Sequence, residues 1–213
     1  MALTLSASNI TRRYNGKPAL DGCSFTFDAA GVYVIMGPNG SGKSTFLRIC
    51  ALIERPDEGR VEYVSAGITL GNDLDLRRRT AMVLPGVGVF NTTVFKNAAY
   101  GLTVRGLKND AAVERALAAV GLSHKLRHHA LTLSSGETQR LGIARALVLD
   151  PEVFFLDEPT ASIDQENTEI VESIIEKMKK EPRTTVIMTT HDRDQAERLA
   201  DRVLVMRDGK ILS

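Results

Sequence analysis

The sequence predicts an α/β fold: a mostly parallel sheet, an antiparallel β part near the N-terminus and a helical part inserted in the middle. Three observations carry this. Residues 32–36, Val-Tyr-Val-Ile-Met, are a continuous apolar run, the mark of a strand buried on both faces. The last third alternates short apolar runs with helix-period segments, as parallel strands joined by crossover helices do. Between these regions, helical stripes occupy roughly residues 92–149.

Taken in order, residues 3–10 alternate as a strand, Asn15-Gly16 is a hairpin turn signal, and residues 19–27 resume with Phe25 and Phe27 on one face. The run 32–36 feeds a Gly-rich loop and a helix predicted over 43–51. Residues 60–64 and 80–84 are further strand candidates. A helix over 110–120 aligns Ala112, Val113, Ala116, Leu117 and Val120. A second, over 137–149, aligns Leu141, Ala144, Arg145 and Val148, and Asp150-Pro151 stops it. Strand 153–156, helix 165–179, strand 185–189, helix 194–200, strand 203–206 and a turn at Asp208-Gly209 complete the chain. With no repeat or linker, this reads as one domain over 1–213, the helical subdomain of about 92–149 inserted in its core.

The chain has 213 residues with 43% hydrophobic and 25% charged, the composition of a globular protein with a sizeable core. Lys+Arg at 27 against Asp+Glu at 26 gives a net charge of +1, so no global field draws it to nucleic acid or an anionic membrane. Any anion must be held by local geometry. Cys23 and Cys50 are too few for a disulfide scaffold or a cysteine-based zinc site, and a reducing compartment fits. No stretch approaches a membrane span, and the first residues lack the pattern of a signal peptide, so a cytosolic location is expected.

The strongest motif is Gly37-Pro38-Asn39-Gly40-Ser41-Gly42-Lys43-Ser44-Thr45, which fits the P-loop pattern at every fixed position. Glycines let successive N–H groups converge on a phosphate chain, and the following helix adds the positive end of its dipole. Lys43 can reach the β- and γ-phosphates and Ser44 can ligate Mg²⁺, so a P-loop nucleotide-triphosphatase core is expected. Residues 153–159, Val-Phe-Phe-Leu-Asp-Glu-Pro, are a buried strand ending in two carboxylates, where ligands of open α/β sheets lie. Asp157 is then placed to bind Mg²⁺, directly or through water, and Glu158 to orient and deprotonate an attacking water. Residues 133–140, Leu-Ser-Ser-Gly-Glu-Thr-Gln-Arg, read locally as a helix N-cap with an acid in the first turn.

The order of these three motifs resembles the ATP-binding cassette (ABC) ATPase family, over essentially the whole chain. The resemblance implies ATP and Mg²⁺ as ligands and a head-to-tail homodimer that sandwiches two ATPs, the signature of one subunit lying over the γ-phosphate held by the other. Ser134 and Gly136 match the signature's phosphate-contacting positions. Tyr14 matches the aromatic residue that stacks on adenine, residues 161–164 the D loop that couples the two sites, and His191 the switch histidine that contacts the γ-phosphate. As local structure, Asp164 also reads as a helix N-cap.

Three positions depart from the family. Pro85 stands where a Gln approaches the Mg²⁺ and answers to the membrane partner; Ser135 replaces a signature Gly and Glu137 a signature Gln. An added acid near ATP is unfavourable unless it points away. Residues 90–102 resemble importer ATPases, especially those for oxyanions such as tungstate or phosphate. Other groupings read as bland structure: His124, His128 and His129 as a solvated linker, Asp73-Leu74-Asp75 as a turn or helix start, and Arg77-Arg78-Arg79 as a solvated face.

The resemblance implies an energy-coupling ATPase subunit, an importer in the leading reading. Its partners would be a transmembrane permease, a second copy of itself in the ATP-bound state and a solute-binding protein. It would sit at the inner face of the cell membrane through the permease. An exporter cassette, a soluble ABC ATPase acting on nucleic acid or ribosomes, and a cassette that only binds ATP are the alternatives. A single cassette, no heptad array and near-zero net charge argue against nucleic acid as a partner.

Overall fold

The computed structural model describes residues 3–161 and 163–212. Strands β1 (Thr4–Tyr14) and β2 (Lys17–Phe27) form the expected hairpin, with Asn15 at φ 50° and Gly16 at φ 78°. Positive φ at both central residues suits the right-handed twist of the flanking strands. Strand β3 (Gly31–Met36) runs into the Gly-rich loop and helix α1 (Lys43–Cys50). Strands β4 (Glu58–Ser65) and β5 (Ile68–Thr69) return to the hairpin and complete an antiparallel sheet of order β2-β1-β4-β5.

A short helix α2 (Leu74–Arg78), capped by the Asp73 side chain on Leu76 N–H at 2.9 Å, leads into β6 (Thr80–Val83). Asp73 is thus the helix start the sequence allowed. Every regular element between β6 and the next strand is helical: α3 (Val94–Val104), α4 (Asp110–Ala119), two 3-10 turns (Ser123–Lys125, Ala130–Thr132) and α5 (Ser135–Leu147). The alternating third follows as β7 (Val153–Asp157), α6 (Gln165–Lys179), β8 (Thr185–Thr190), α7 (Arg193–Leu199), β9 (Arg202–Arg207) and β10 (Lys210–Leu212). The second sheet has the order β10-β9-β3-β8-β7-β6, parallel throughout except for β10 against β9.

This sheet separates two cores. Val32, Val34, Phe154, Leu156, Val186 and Met188 face the helical side, where they meet Leu141, Ile143, Val171 and Ile175. Tyr33, Ile35, Val153, Phe155 and Ile187 face α1 and the antiparallel sheet, meeting Phe46, Leu47, Phe27 and Tyr63. Successive side chains point to opposite faces and both faces are covered, which is why the runs 32–36, 153–156 and 186–188 are continuously apolar. Cys23 and Cys50 are buried free thiols.

Arg77 and Arg78 are exposed, but Arg79 is not part of a solvated face. Its guanidinium pairs in bidentate fashion with Glu152, Nε to Oε1 at 2.7 Å and Nη2 to Oε2 at 2.8 Å. This ties the start of β6 to the start of β7, and the planar fork of arginine matches the carboxylate.

Candidate nucleotide site

The ends of β3, β7 and β8 converge on one cluster. Gly37, at φ 155°, follows β3, and a Cβ there would lie 2.1 Å from the Met206 carbonyl oxygen, so β9 presses too closely for any side chain. Lys43 opens α1 and is 4% exposed. Its ammonium curls back into the loop and donates to the carbonyls of Gly37 at 2.8 Å and Pro38 at 3.2 Å. Ser41 Oγ is buried in the same loop with no hydrogen-bond partner, an orphan donor that an anion would satisfy.

Ser44 Oγ donates to Asp157 Oδ1 at 2.8 Å, and Thr189 Oγ1 donates to the same oxygen at 2.8 Å. Thr189 Oγ1 in turn accepts the N–H of Glu158 at 2.9 Å. Glu158 sits at φ 46°, a left-handed conformation that disfavours a side chain by about 1 kcal/mol or more. Its carboxylate lies 3.7 Å from Lys43 Nζ through Oε1 and 3.3 Å from His191 Nδ1 through Oε2. Glu158 and His191, with Thr160, Ala161, Thr190 and Asp192, line an open cleft of about 410 Å³.

So the structure brings Lys43, Ser44, Asp157, Glu158 and His191 together, and adds Thr189, which the sequence reading did not single out. Its signal is register: Asp157 pairs with Thr189 across β7 and β8, which puts the hydroxyl beside the carboxylate.

Ser134 and Gly136 stand elsewhere, at the start of α5. Ser134 is the N-cap: its Oγ accepts Glu137 N–H at 3.3 Å, while Glu137 Oε2 accepts Ser134 N–H at 3.0 Å. This reciprocal capping box turns the Glu137 carboxylate back onto its own helix. Glu137 Oε1 also takes the Lys125 ammonium at 2.5 Å. Burial would raise the Glu137 pKa, but Lys125 and the Ser134 N–H outweigh it and hold it below the usual carboxylate range. The added acid of the signature is therefore neutralised locally.

Gly136 has a packing reason to be glycine. A Cβ there would lie 2.5–2.8 Å from the side-chain amide of Asn167. That amide cannot swing aside freely, because Oδ1 accepts Arg140 Nε at 2.7 Å and Nδ2 donates to Asp164 Oδ1 at 2.7 Å. Gly136→Ala is expected to destabilise the chain by roughly 1–3 kcal/mol through overpacking. Urea unfolding of the two forms measures it, and an unchanged midpoint would mean that Asn167 yields without loss.

Asp164 caps α6 as expected, accepting Asn167 N–H at 2.9 Å. Of residues 161–164, Ser162 lies outside the described residues. Tyr14 ends β1 with its ring half-exposed and its hydroxyl donating to Glu54. Pro85 follows β6 and, with Gly86, Val87 and Gly88, lines a largely apolar cleft of about 410 Å³ closed by Gly142, Arg145, Ala146 and Leu149. His124, His128 and His129 are exposed.

A glycine-rich loop on a buried strand, a lysine folded into it and the Ser44 hydroxyl bonded to the carboxylate at the end of β7 are the marks of a P-loop ATPase. The family model described as ABC transporter matches residues 20–161. The phosphate import ATP-binding protein PstB 2 of Natronomonas pharaonis is 34% identical over 98% of the chain and 78% of its own length. The tungstate uptake system ATP-binding protein TupC of Peptoclostridium acidaminophilum is 36% identical over 98% and 97%. Among solved structures, a dimeric ATP-binding cassette in a post-hydrolysis state with ADP and Pi is 28% identical over 98% and 97%, with a TM-score of 0.86. The chain belongs to the ABC transporter family and is an ATPase that hydrolyses ATP for transport. No described helix is long and apolar enough to cross a membrane.

Proposed function

We propose that this chain is the energy-coupling ATPase of an importer: a homodimer that closes on two ATPs and drives a separate membrane permease fed by a solute-binding protein. It acts at the inner face of the membrane as one cassette domain over 1–213, with about 92–149 as its inserted helical unit. The observation that carries this is the hydrogen-bonded chain Ser44–Asp157–Thr189–Glu158, with Lys43 at 3.7 Å and His191 at 3.3 Å from the Glu158 carboxylate.

In this reading the residues 37–45 hold the phosphates, with Lys43 exchanging its loop carbonyls for phosphate oxygens. Ser44 and Asp157, a hydroxyl and a carboxylate, are the hard oxygen donors that suit Mg²⁺. The ion, when bound, supplies neutralising charge to the phosphates. Glu158 takes the proton of the attacking water, and His191, 3.3 Å from its carboxylate, orients it toward the γ-phosphate. Ser134 and Gly136, remote from this cluster in the fold, serve the ATP held by the second copy, and Tyr14 stacks on the adenine. The similarity to phosphate, tungstate, amino-acid and cystine import or uptake proteins supports import over export. Co-purification with a permease, followed by ATP-driven uptake into sealed vesicles, tests it. Solute leaving the cytoplasmic side, or no membrane partner at all, overturns it.

Pro85 makes a further expectation. Gln would offer a carbonyl to the metal's water shell and an amide to the lytic water; proline offers neither and fixes φ near −65°. The loop is also fastened at its far end, where Arg145 Nη2 donates to Gly88 O at 3.1 Å and Asn97 bonds both backbone groups of Phe90. Pro85→Gln should therefore raise basal ATP hydrolysis several-fold and loosen its dependence on the permease. Steady-state rates with and without permease decide it; equal basal rates would mean that the side chain at 85 is not limiting.

A further inference from the structure

Tyr14 is held by a cluster of side chains that the hydrolytic chemistry does not use. Its hydroxyl donates to Glu54 Oε1, and the Arg12 guanidinium carbon lies 4.9 Å from its ring centroid. Arg12 Nε donates to that same Glu54 oxygen at 2.8 Å, and its Nη1 to Asp57 Oδ1 at 2.6 Å. Asp57 Oδ2 accepts the Arg13 N–H at 2.7 Å, and Arg48 of α1 approaches the other Glu54 oxygen at 3.4 Å. The segment that follows the P-loop helix is thus tied to the end of β1 by the residues that flank Tyr14.

An isolated exposed ion pair contributes little to stability. Here one carboxylate takes Tyr14, Arg12 and Arg48 together, so its own conformation is over-determined. Burial would raise the Glu54 pKa, but its bonds to Tyr14 and Arg12 outweigh it and keep it charged at neutral pH. A ring tethered at its hydroxyl and capped on one face by a guanidinium has lost its freedom before any ligand arrives, and a ligand need not order it.

We propose that Glu54 and Arg12 are positioning residues for the nucleobase: they lock the Tyr14 ring so that its uncapped face is a preformed platform for the adenine of ATP. This rests on the reading of Tyr14 as the base-stacking residue.

The test compares binding of ATP with binding of inorganic tripolyphosphate, which has a phosphate chain and no base, by calorimetry. Tyr14→Ala should raise the Kd for ATP about 10-fold or more, the scale of one base–aromatic stack, and leave tripolyphosphate unchanged. Glu54→Ala, Arg12→Ala and Tyr14→Phe should each raise the ATP Kd by roughly 3- to 10-fold, again sparing tripolyphosphate, and raise KM with kcat unchanged. Adding Glu54→Ala to Tyr14→Ala should change nothing more, because the two act as one unit. Equal weakening of both ligands would mean that the cluster only supports the fold around the P-loop, which overturns the proposal. Unchanged ATP affinity in Glu54→Ala overturns it as well, and tighter ATP binding in Arg12→Ala would show that Arg12 obstructs the ring. If Tyr14→Ala itself fails to separate ATP from tripolyphosphate, the stacking reading falls and the proposal with it.

Discussion

Glu158→Gln is expected to lower ATP turnover by roughly 10²- to 10⁴-fold while leaving ATP binding intact, the range for losing a general base. The substitution is nearly isosteric, so the strained backbone at φ 46° and its N–H bond to Thr189 can persist. What changes is basicity. The carboxylate lies 3.7 Å from Lys43 and 3.3 Å from His191 and presents two acceptor oxygens between them. An amide has one acceptor and cannot take a proton from water at neutral pH. With hydrolysis slowed, bound ATP should hold two chains together through the Ser134 and Gly136 of the facing copy. Single-turnover kinetics read the chemistry, and size-exclusion chromatography with ATP and Mg²⁺ reads the dimer. Wild-type turnover would assign the base to another group. A variant that stays monomeric at saturating ATP would contradict the proposed trans arrangement.

The parts of this fold legible in the sequence are those whose physics is local or symmetric. β3 and β7 are recognisable because burial on both faces makes residues 32–36 and 153–156 continuously apolar, and α6 because a stripe over Val171, Ile174, Ile175 and Met178 marks its C-terminal half. Helix α2 buries only Leu76, too little to set a period, and β5 has two residues. β5 owes its form to pairing with β4, and α2 is marked locally only by its Asp73 cap.

The site divides the same way. Lys43-Ser44 and Asp157-Glu158 are two adjacent pairs, each within one short motif, so each motif reveals its own pair. Thr189 does not: in a strand of Thr-Val-Ile-Met-Thr-Thr it looks like ordinary β-propensity. Only the parallel register that sets it opposite Asp157 makes it a clamp on two carboxylate residues. Arg79 and Glu137 fail for a related reason. A run of three arginines carries no sign that one has Glu152 as partner 73 positions away. The extra acid of the signature likewise carries no sign that Lys125 is waiting for it.

Lys43→Ala is expected to abolish measurable ATP hydrolysis and to weaken nucleotide binding. Lys43 is the first residue of α1, and alanine is a better helix former there, so the helix itself should not suffer. The loop loses the two bonds to the Gly37 and Pro38 carbonyls, each worth about 1 kcal/mol net, and unfolding measurements should show a change of that order. The functional loss should be far larger. The ammonium is 4% exposed, and apart from Glu158 at 3.7 Å its partners are neutral carbonyls. A buried cation so weakly compensated is set to receive an anion, and in phosphoryl transfer such a charge also meets what develops in the transition state. Removing it should cost roughly 10³-fold or more, the scale seen when a cationic group is withdrawn from such a reaction. Lys43→Arg should not rescue turnover, because a planar fork cannot occupy the place of a compact ammonium folded back into its own loop. ATPase assays on alanine and arginine variants, with unfolding curves to confirm that both are folded, make the test. Wild-type turnover in folded Lys43→Ala would remove the basis for assigning this loop to the phosphates of ATP.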